Sequence, residues 1–148
     1  MAFHFPLQAV LHLRQSLEHQ QELRLRAANQ HVSAMRHLVD AIDLAIRHFE
    51  IVSHKAMTKG IRVSELHFNL ALKSAFESRR QQANLELHRA QNLRDQQQRI
   101  FQQLHREREI LEALRDQQLQ EYERAALRRQ QSQTDELFLL RRAFQERR

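Results

Sequence analysis

Tight turns are scarce in this chain, because its 148 residues include one glycine, Gly60, and one proline, Pro6. An ordinary domain contains about 7% glycine and about 5% proline, since most turns depend on these two residues. A β-sheet protein, which needs a turn between each pair of strands, is therefore excluded. Most of the other residues are Leu, Arg, Gln, Ala and Glu, which lose little side-chain entropy in a helix. The sequence predicts an all-α protein.

An apolar seam runs through the N-terminal part, with residues alternately three and four positions apart, as in a coiled coil. The series is Leu25, Ala28, Val32, Met35, Val39, Ile42, Ile46 and Phe49. Upstream, Val10, Leu13 and Leu17 keep this spacing, but Leu17 and Leu25 are eight residues apart. We interpret that gap as a stutter, at which the supercoil locally relaxes. Pro6 suits the first position of the helix, where its missing N–H is not needed.

The single break in the helical pattern is at Gly60. Glycine readily adopts the left-handed backbone that closes a helix, and Ser64 is a candidate N-cap for the next helix. We therefore predict an antiparallel two-helix coiled-coil hairpin with a longer second helix, forming one domain over residues 1–148. The expected bounds are about 6–57 for the first helix, 58–63 for the turn and 64–146 for the second helix.

The second helix has its own apolar series, interrupted by the polar stretch 94–99. The series is Leu72, Phe76, Ala83, Leu87, Ala90, Leu93, Ile100, Leu104, Leu111 and Leu114. Counting outward from Gly60 places Phe5 opposite about residue 115. The remainder of the second helix is expected to overhang, and it carries the apolar cluster Leu137–Leu140 with Phe144. Exposed apolar clusters of this kind mark interfaces.

The sequence offers nothing that points to secretion or to a membrane span. There is no cysteine that could form a disulfide. Residues 1–13 contain no Lys or Arg, whereas a signal peptide begins with a positively charged region. The longest run of large apolar residues, 137–140, is far shorter than the about 20 residues that cross a bilayer. We expect a cytoplasmic protein.

The net charge of +6 raises nucleic acids and acidic membranes as possible partners. Opposite charges nevertheless alternate, as in Arg106-Glu107-Arg108-Glu109, which is typical of a solvated helix face. A nucleic-acid-binding protein gathers its cations in a patch with aromatic side chains for stacking. This chain has one Tyr and no Trp, so we expect no nucleic-acid partner.

Catalysis is not expected, because a two-helix seam cannot enclose a pocket of a few hundred Å³. No two of the ten histidines have the i,i+3 or i,i+4 spacing of a helical metal site. One glycine cannot build a phosphate-binding loop. We therefore predict no catalytic residue, no metal and no cofactor.

Three stretches together resemble the FliJ family of flagellar type III export proteins. The first is Phe5-x-Leu7-x-x-Val10-Leu11-x-x-Arg14 followed by Glu18, and the second is Gly60-Ile61-x-x-x-Glu65-Leu66 at the turn. The third is Leu114-Arg115, Tyr122, Asp135-Glu136 and Arg141-Arg142. The likeness covers the whole chain and implies an antiparallel two-helix coiled coil that resembles the stalk subunit of rotary ATPases.

The resemblance also implies partners: the hexamer of the export ATPase, the membrane export-gate protein and substrate chaperones. The protein would activate the ATPase ring and couple it to the gate, at the periphery of the inner membrane. The implied gate-binding residues of the tip half are Ile42, Phe49, Leu72 and Phe76. The implied ATPase-binding residues of the terminal end are Leu7, Val10, Leu11, Leu137, Phe138, Leu140 and Phe144. The chain departs from the family pattern at Ala45 and Arg79.

Two other functions are open. The chain could be a structural coiled coil that self-associates through its seam, whereas an adaptor hairpin should be monomeric when isolated, so sedimentation distinguishes them. It could also be a basic helical protein that binds membrane or RNA, in which case binding to RNA phosphates would weaken steeply with salt.

Overall fold

Two α-helices make up nearly all of the computed structural model, which describes residues 3–146. α1 spans Gln8–Lys59 and α2 spans Val63–Glu146. The helices pack against each other, and the described residues are 94% helical with no strand. The predicted all-α hairpin with a longer second helix is confirmed. α1 begins two residues after Pro6, where the Leu11 N–H donates to the Leu7 carbonyl at 2.9 Å.

Gly60 closes α1 as expected, with a φ of +87°. Its N–H donates to the Met57 carbonyl at 3.2 Å. Ser64 is not the N-cap of α2, because α2 already begins at Val63. Arg62 takes that place: its carbonyl accepts the Leu66 N–H at 3.0 Å, and its N–H donates to Glu65 Oε2 at 3.2 Å. This reciprocal bond to the third helical residue is half of a capping box.

The packed residues form two compact units. The turn unit contains residues 19–102, and the terminal unit contains residues 3–18 and 103–146 of the described chain. The core of the turn unit is Val39, Ile42 and Ala83, with Leu38, Ile46 and Leu87 packed against it. On α2 the small residues Ala83 and Ala90 are buried, and Ala83 packs with the larger Val39 and Ile42 of α1, which lets side chains of unequal size fill the seam. That one domain covers the chain stays a prediction.

The terminal unit is held by Leu11, which is fully buried, and by Phe5. Phe3 and Tyr122 pack with ring centroids 5.7 Å apart, a favourable tilted arrangement. Every residue from 123 to 146 is exposed. The exposed overhang therefore begins after Tyr122, not near residue 115. The count from Gly60 fell short because the turn includes Ile61 and Arg62 and because Phe3 also takes part in the packing.

The seam near the N-terminus differs from the predicted one. Val10 and Leu13 are 41% and 58% exposed, whereas Leu11 and Gln21 are buried. The three-and-four spacing thus continues from Leu25 through positions 21, 18, 14 and 11, and the predicted stutter is wrong. On α2, likewise, Leu93 and Ile100 are 47% and 44% exposed, while the neighbouring positions 94, 97 and 101 are partly covered.

Candidate functional site

A cluster of charged and polar side chains joins the two helices in the terminal unit, and we call it the polar clasp. Its members are Arg14, Gln15 and Glu18 of α1 and His105, Glu107, Arg108 and Glu112 of α2. One Glu18 oxygen is 2.7 Å from His105 Nδ1, and the other accepts a hydrogen bond from Arg108 Nε.

The rest of the clasp extends from Arg108 and from Arg14. Arg108 also donates to Glu112 Oε2 at 2.5 Å, and Gln15 donates to Glu112 Oε1 at 3.2 Å. Arg14 donates to Glu107. Each α1 member is thus bonded to α2, so the clasp aligns the helices by hydrogen bonds that apolar packing alone does not provide.

The clasp shifts the protonation equilibria of its members. Burial raises the pKa of Glu18, but the hydrogen bonds of His105 and Arg108 outweigh it and hold that pKa below its ordinary value. The hydrogen bond to Glu18 raises the pKa of His105, helped by the nearby Glu109. The hydrogen bond from Arg108 lowers the pKa of Glu112. All three shifts favour the charged forms of these side chains, as expected for an ion-pair network that joins two helices.

A second polar pair lies inside the seam of the turn unit. Gln21 is 3% exposed, and its Nε2 donates to the carbonyl of Gln97 at 3.0 Å and to the side-chain oxygen of Gln97 at 2.6 Å. A buried amide is tolerated when it is hydrogen-bonded, and at a seam position it favours one register over others. Sequence reasoning missed this pair because it followed apolar residues only.

The predicted gate-binding residues all lie in the turn unit. Ile42 is buried in its core, and Leu72 is partly buried. Phe49 and Phe76 face each other across the helices, with ring centroids 5.7 Å apart. These residues therefore support the pairing of the helices, and only part of their surface is open to a partner.

A shallow groove adjoins the aromatic pair. Its lining includes Phe49, Met57 and Leu70, its volume is about 240 Å³, and the ion pair between Glu50 and Lys73, 3.7 Å apart, lies at its edge. Met57 and Leu70 are 46% and 56% exposed. Neither residue was in the predicted set, although exposed apolar residues beside the turn are what a docking partner would contact.

The predicted ATPase-binding residues fall into two different environments. Leu11 is fully buried, and Leu7 and Val10 are 38% and 41% exposed. The four on the overhang are much more open, at 56–73% exposed; they are Leu137, Phe138, Leu140 and Phe144. The structure brings the first group into or beside the seam and leaves the second group in solvent.

The overhang is apolar around its whole circumference at one level. Four consecutive residues of a helix point about 100° apart, so Leu137–Leu140 together face every direction. All four are at least 56% exposed. A helix that is apolar on all sides is normally surrounded by other protein. This segment therefore fits a partner that encloses it better than one that packs on a single face.

Within residues 3–146, no group of three or more His, Asp or Glu side chains could hold a metal ion. In the same part of the chain, neither helix has a segment apolar enough to cross a bilayer.

Comparison with known proteins gives one match. The family model described as "Flagellar FliJ protein" matches residues 3–148. No curated protein and no solved structure matches the chain significantly.

Proposed function

The chain belongs to the FliJ family, whose role is in flagellar protein export, and from this premise we propose that it is a non-enzymatic adaptor of the export ATPase. In this proposal it binds the ATPase ring, stimulates ATP hydrolysis and links the ring to the membrane export gate. Escort of substrate chaperones is part of the same role. Family membership supports a role in the flagellar export apparatus. The exposed apolar surfaces of the two units support the assignment of a different partner to each unit.

The overhang is the observation that carries the proposal. Its side chains at 137–140 and Phe144 are exposed on all sides, and each large apolar side chain that a partner buries contributes about 1.5–3 kcal/mol. A ring with a central opening is a partner that can surround a helix. Arg128, Arg129, Arg141 and Arg142 lie along the same segment and would orient it against acidic side chains of the ring.

The turn unit is assigned to the gate. The partly covered aromatic pair Phe49 and Phe76, with the exposed Met57 and Leu70 beside it, offers an apolar groove between the helices. Ile42 and Leu72 would support this surface from the seam. Placing the two partners on the two units would allow one chain to hold both at once.

ATP hydrolysis by the purified export ATPase, measured as the full chain is added, tests this proposal. The chain alone should be inert, and the ATPase rate should rise to a plateau as the chain is added. The variant Phe138→Ser/Phe144→Ser should weaken the apparent affinity at least about tenfold, because two large buried side chains are lost.

Two exposed leucines of the turn unit provide the matched control. Leu23→Ser/Leu85→Ser changes residues that are 49% and 60% exposed and should leave stimulation intact. No stimulation by the wild-type chain, or equal loss with both variants, would contradict the proposal.

A further inference from the structure

One exposed face of α1 in the turn unit combines apolar and basic side chains, and we call it the outer stripe. Its residues follow the i, i+3, i+4, i+7 pattern of one helix face and all are exposed: Leu44, Arg47, His48, Ile51, His54, Lys55 and Thr58. Leu44 and Ile51 are 68% and 57% exposed. This face is opposite the seam of the same helix, so pairing with α2 does not explain its apolar residues.

Two of the carboxylates that border the outer stripe are paired with α2, whereas Asp40, four residues before Leu44, is exposed and has no ion pair within residues 3–146. Asp43 lies 2.7 Å from Arg80, and Glu50 lies 3.7 Å from Lys73. The stripe itself contains no acidic residue. Within residues 3–146, neither cation of the stripe, at positions 47 and 55, has an ion-pair partner. The charge that the stripe presents to solvent is therefore positive.

The positive and apolar surface continues into the turn. Lys59 and Arg62 are exposed there, and Glu65 bonds the backbone N–H of Arg62, not its guanidinium. Val63 and Phe68 are 70% and 65% exposed. Cations thus lie beside apolar side chains from the outer stripe to the start of α2.

We propose that the outer stripe and the turn bind the surface of an anionic phospholipid bilayer. Lys and Arg reach the lipid phosphates through their flexible stems, while Leu44 and Ile51 enter the boundary between headgroups and acyl chains. From Leu44 to Thr58 the stripe is about 21 Å long at 1.5 Å per residue, and an extended planar surface contacts all of it at once. The proposal goes beyond the adaptor role and does not depend on the ATPase.

An acidic protein segment is the competing partner, and the observations favour lipid. Ion pairing with a protein would satisfy the cations but would leave no reason for exposed apolar residues between them. A bilayer supplies both anionic phosphates and an apolar layer beneath them.

Co-sedimentation of the full chain with vesicles tests the proposal. The chain should bind vesicles that contain phosphatidylglycerol and should not bind vesicles of phosphatidylcholine alone. Lys55→Gln/Lys59→Gln should lower the partition coefficient about 30-fold. Leu44→Ser/Ile51→Ser should also weaken binding without changing the helix content, because both side chains are exposed.

The matched control removes two cations elsewhere. Arg128→Gln/Arg129→Gln changes the net charge equally but lies on the overhang, and it should leave vesicle binding unchanged. Equal binding to neutral and anionic vesicles, no binding to either, or equal loss with the control would overturn the proposal. An absence of vesicle binding together with intact ATPase stimulation would reject this proposal alone.

Discussion

Glu18 occupies a seam position between Leu11 and Gln21, where a coiled coil normally places an apolar residue. Its carboxylate is kept charged there by His105 and Arg108. Removing either partner would leave a partly buried charge poorly compensated. The protonation of His105 therefore contributes to the stability of the terminal unit, beside the bond from Arg108 to the same carboxylate.

The pH dependence of stability should report this histidine. Because the pKa of His105 is raised in the folded chain, its contribution is complete below its unfolded pKa of about 6.5 and is lost as the pH rises through the folded value. The melting temperature of the wild type should thus fall slightly more than that of His105→Gln over this window. Circular dichroism melts at several pH values measure the difference.

The charged groups near His105 include Glu18, Glu109 and Arg108. The control is His88→Gln, which replaces an exposed histidine of the turn unit outside the polar clasp and should not reproduce the effect of His105→Gln. A difference between wild type and His105→Gln that is independent of pH would show that the clasp does not depend on the imidazolium.

The sequence could have predicted the positions of the polar seam residues on α1, but not the residues of α2 with which they form hydrogen bonds. Positions 11, 14, 18 and 21 continue the three-and-four alternation back from Leu25, so the stripe was present in the sequence. Apolar residues one position away, such as Val10, hid it. The choice between the two series depends on hydrogen bonds from the other helix, as between Gln21 and Gln97, and a single helix's pattern does not contain that information.

At the scale of the elements, the two helices follow from composition and the turn follows from Gly60. The scarcity of turn residues and the single break predicted both helices and their antiparallel order. The end of the turn was less predictable. Arg62, not Ser64, precedes the first helical turn because the Glu65 side chain satisfies its N–H, and this contact exists only once the helix has formed.

Replacement of Gly60 tests the turn. Gly60→Ala should destabilise the hairpin by about 1–2 kcal/mol, since an L-residue at φ +87° is strained. Apart from the residue itself and its two chain neighbours, no heavy atom lies within 4 Å of the added Cβ, so the loss comes from the backbone conformation. Urea denaturation measures the free energy of unfolding. Gly60→Asn should cost less, and an unchanged stability for Gly60→Ala would contradict the left-handed backbone.

The antiparallel packing in the turn unit can be measured directly. Spin labels at cysteines introduced near positions 42 and 76, at exposed neighbours of these residues, should lie close, because axes of packed helices are about 8–10 Å apart. A separation above about 25 Å between the labels would show that the two helices do not form the hairpin.

At the scale of the whole molecule, the exposed apolar residues of the overhang could bind a different protein, as in an adaptor, or a second copy of the chain, as in a self-associating coiled coil. Counting from the turn predicted the overhang. In the structure it begins at residue 123, later than the predicted position near 115, because Tyr122 packs on Phe3. Which partner covers it was not predictable, since exposure does not name an occupant. Sedimentation of the isolated chain should give a monomer, whereas a stable oligomer would favour self-association.

Truncation after Gln133 distinguishes a role of the overhang in partner binding from a role in the chain's own fold. An unpaired helix end contributes little beyond its propensity, so the truncated chain should melt within about 2 °C of the full chain. It should at the same time lose most of its stimulation of the export ATPase. A substantially lower melting temperature would show that the overhang folds onto its own chain, and undiminished stimulation would show that it does not serve the ATPase.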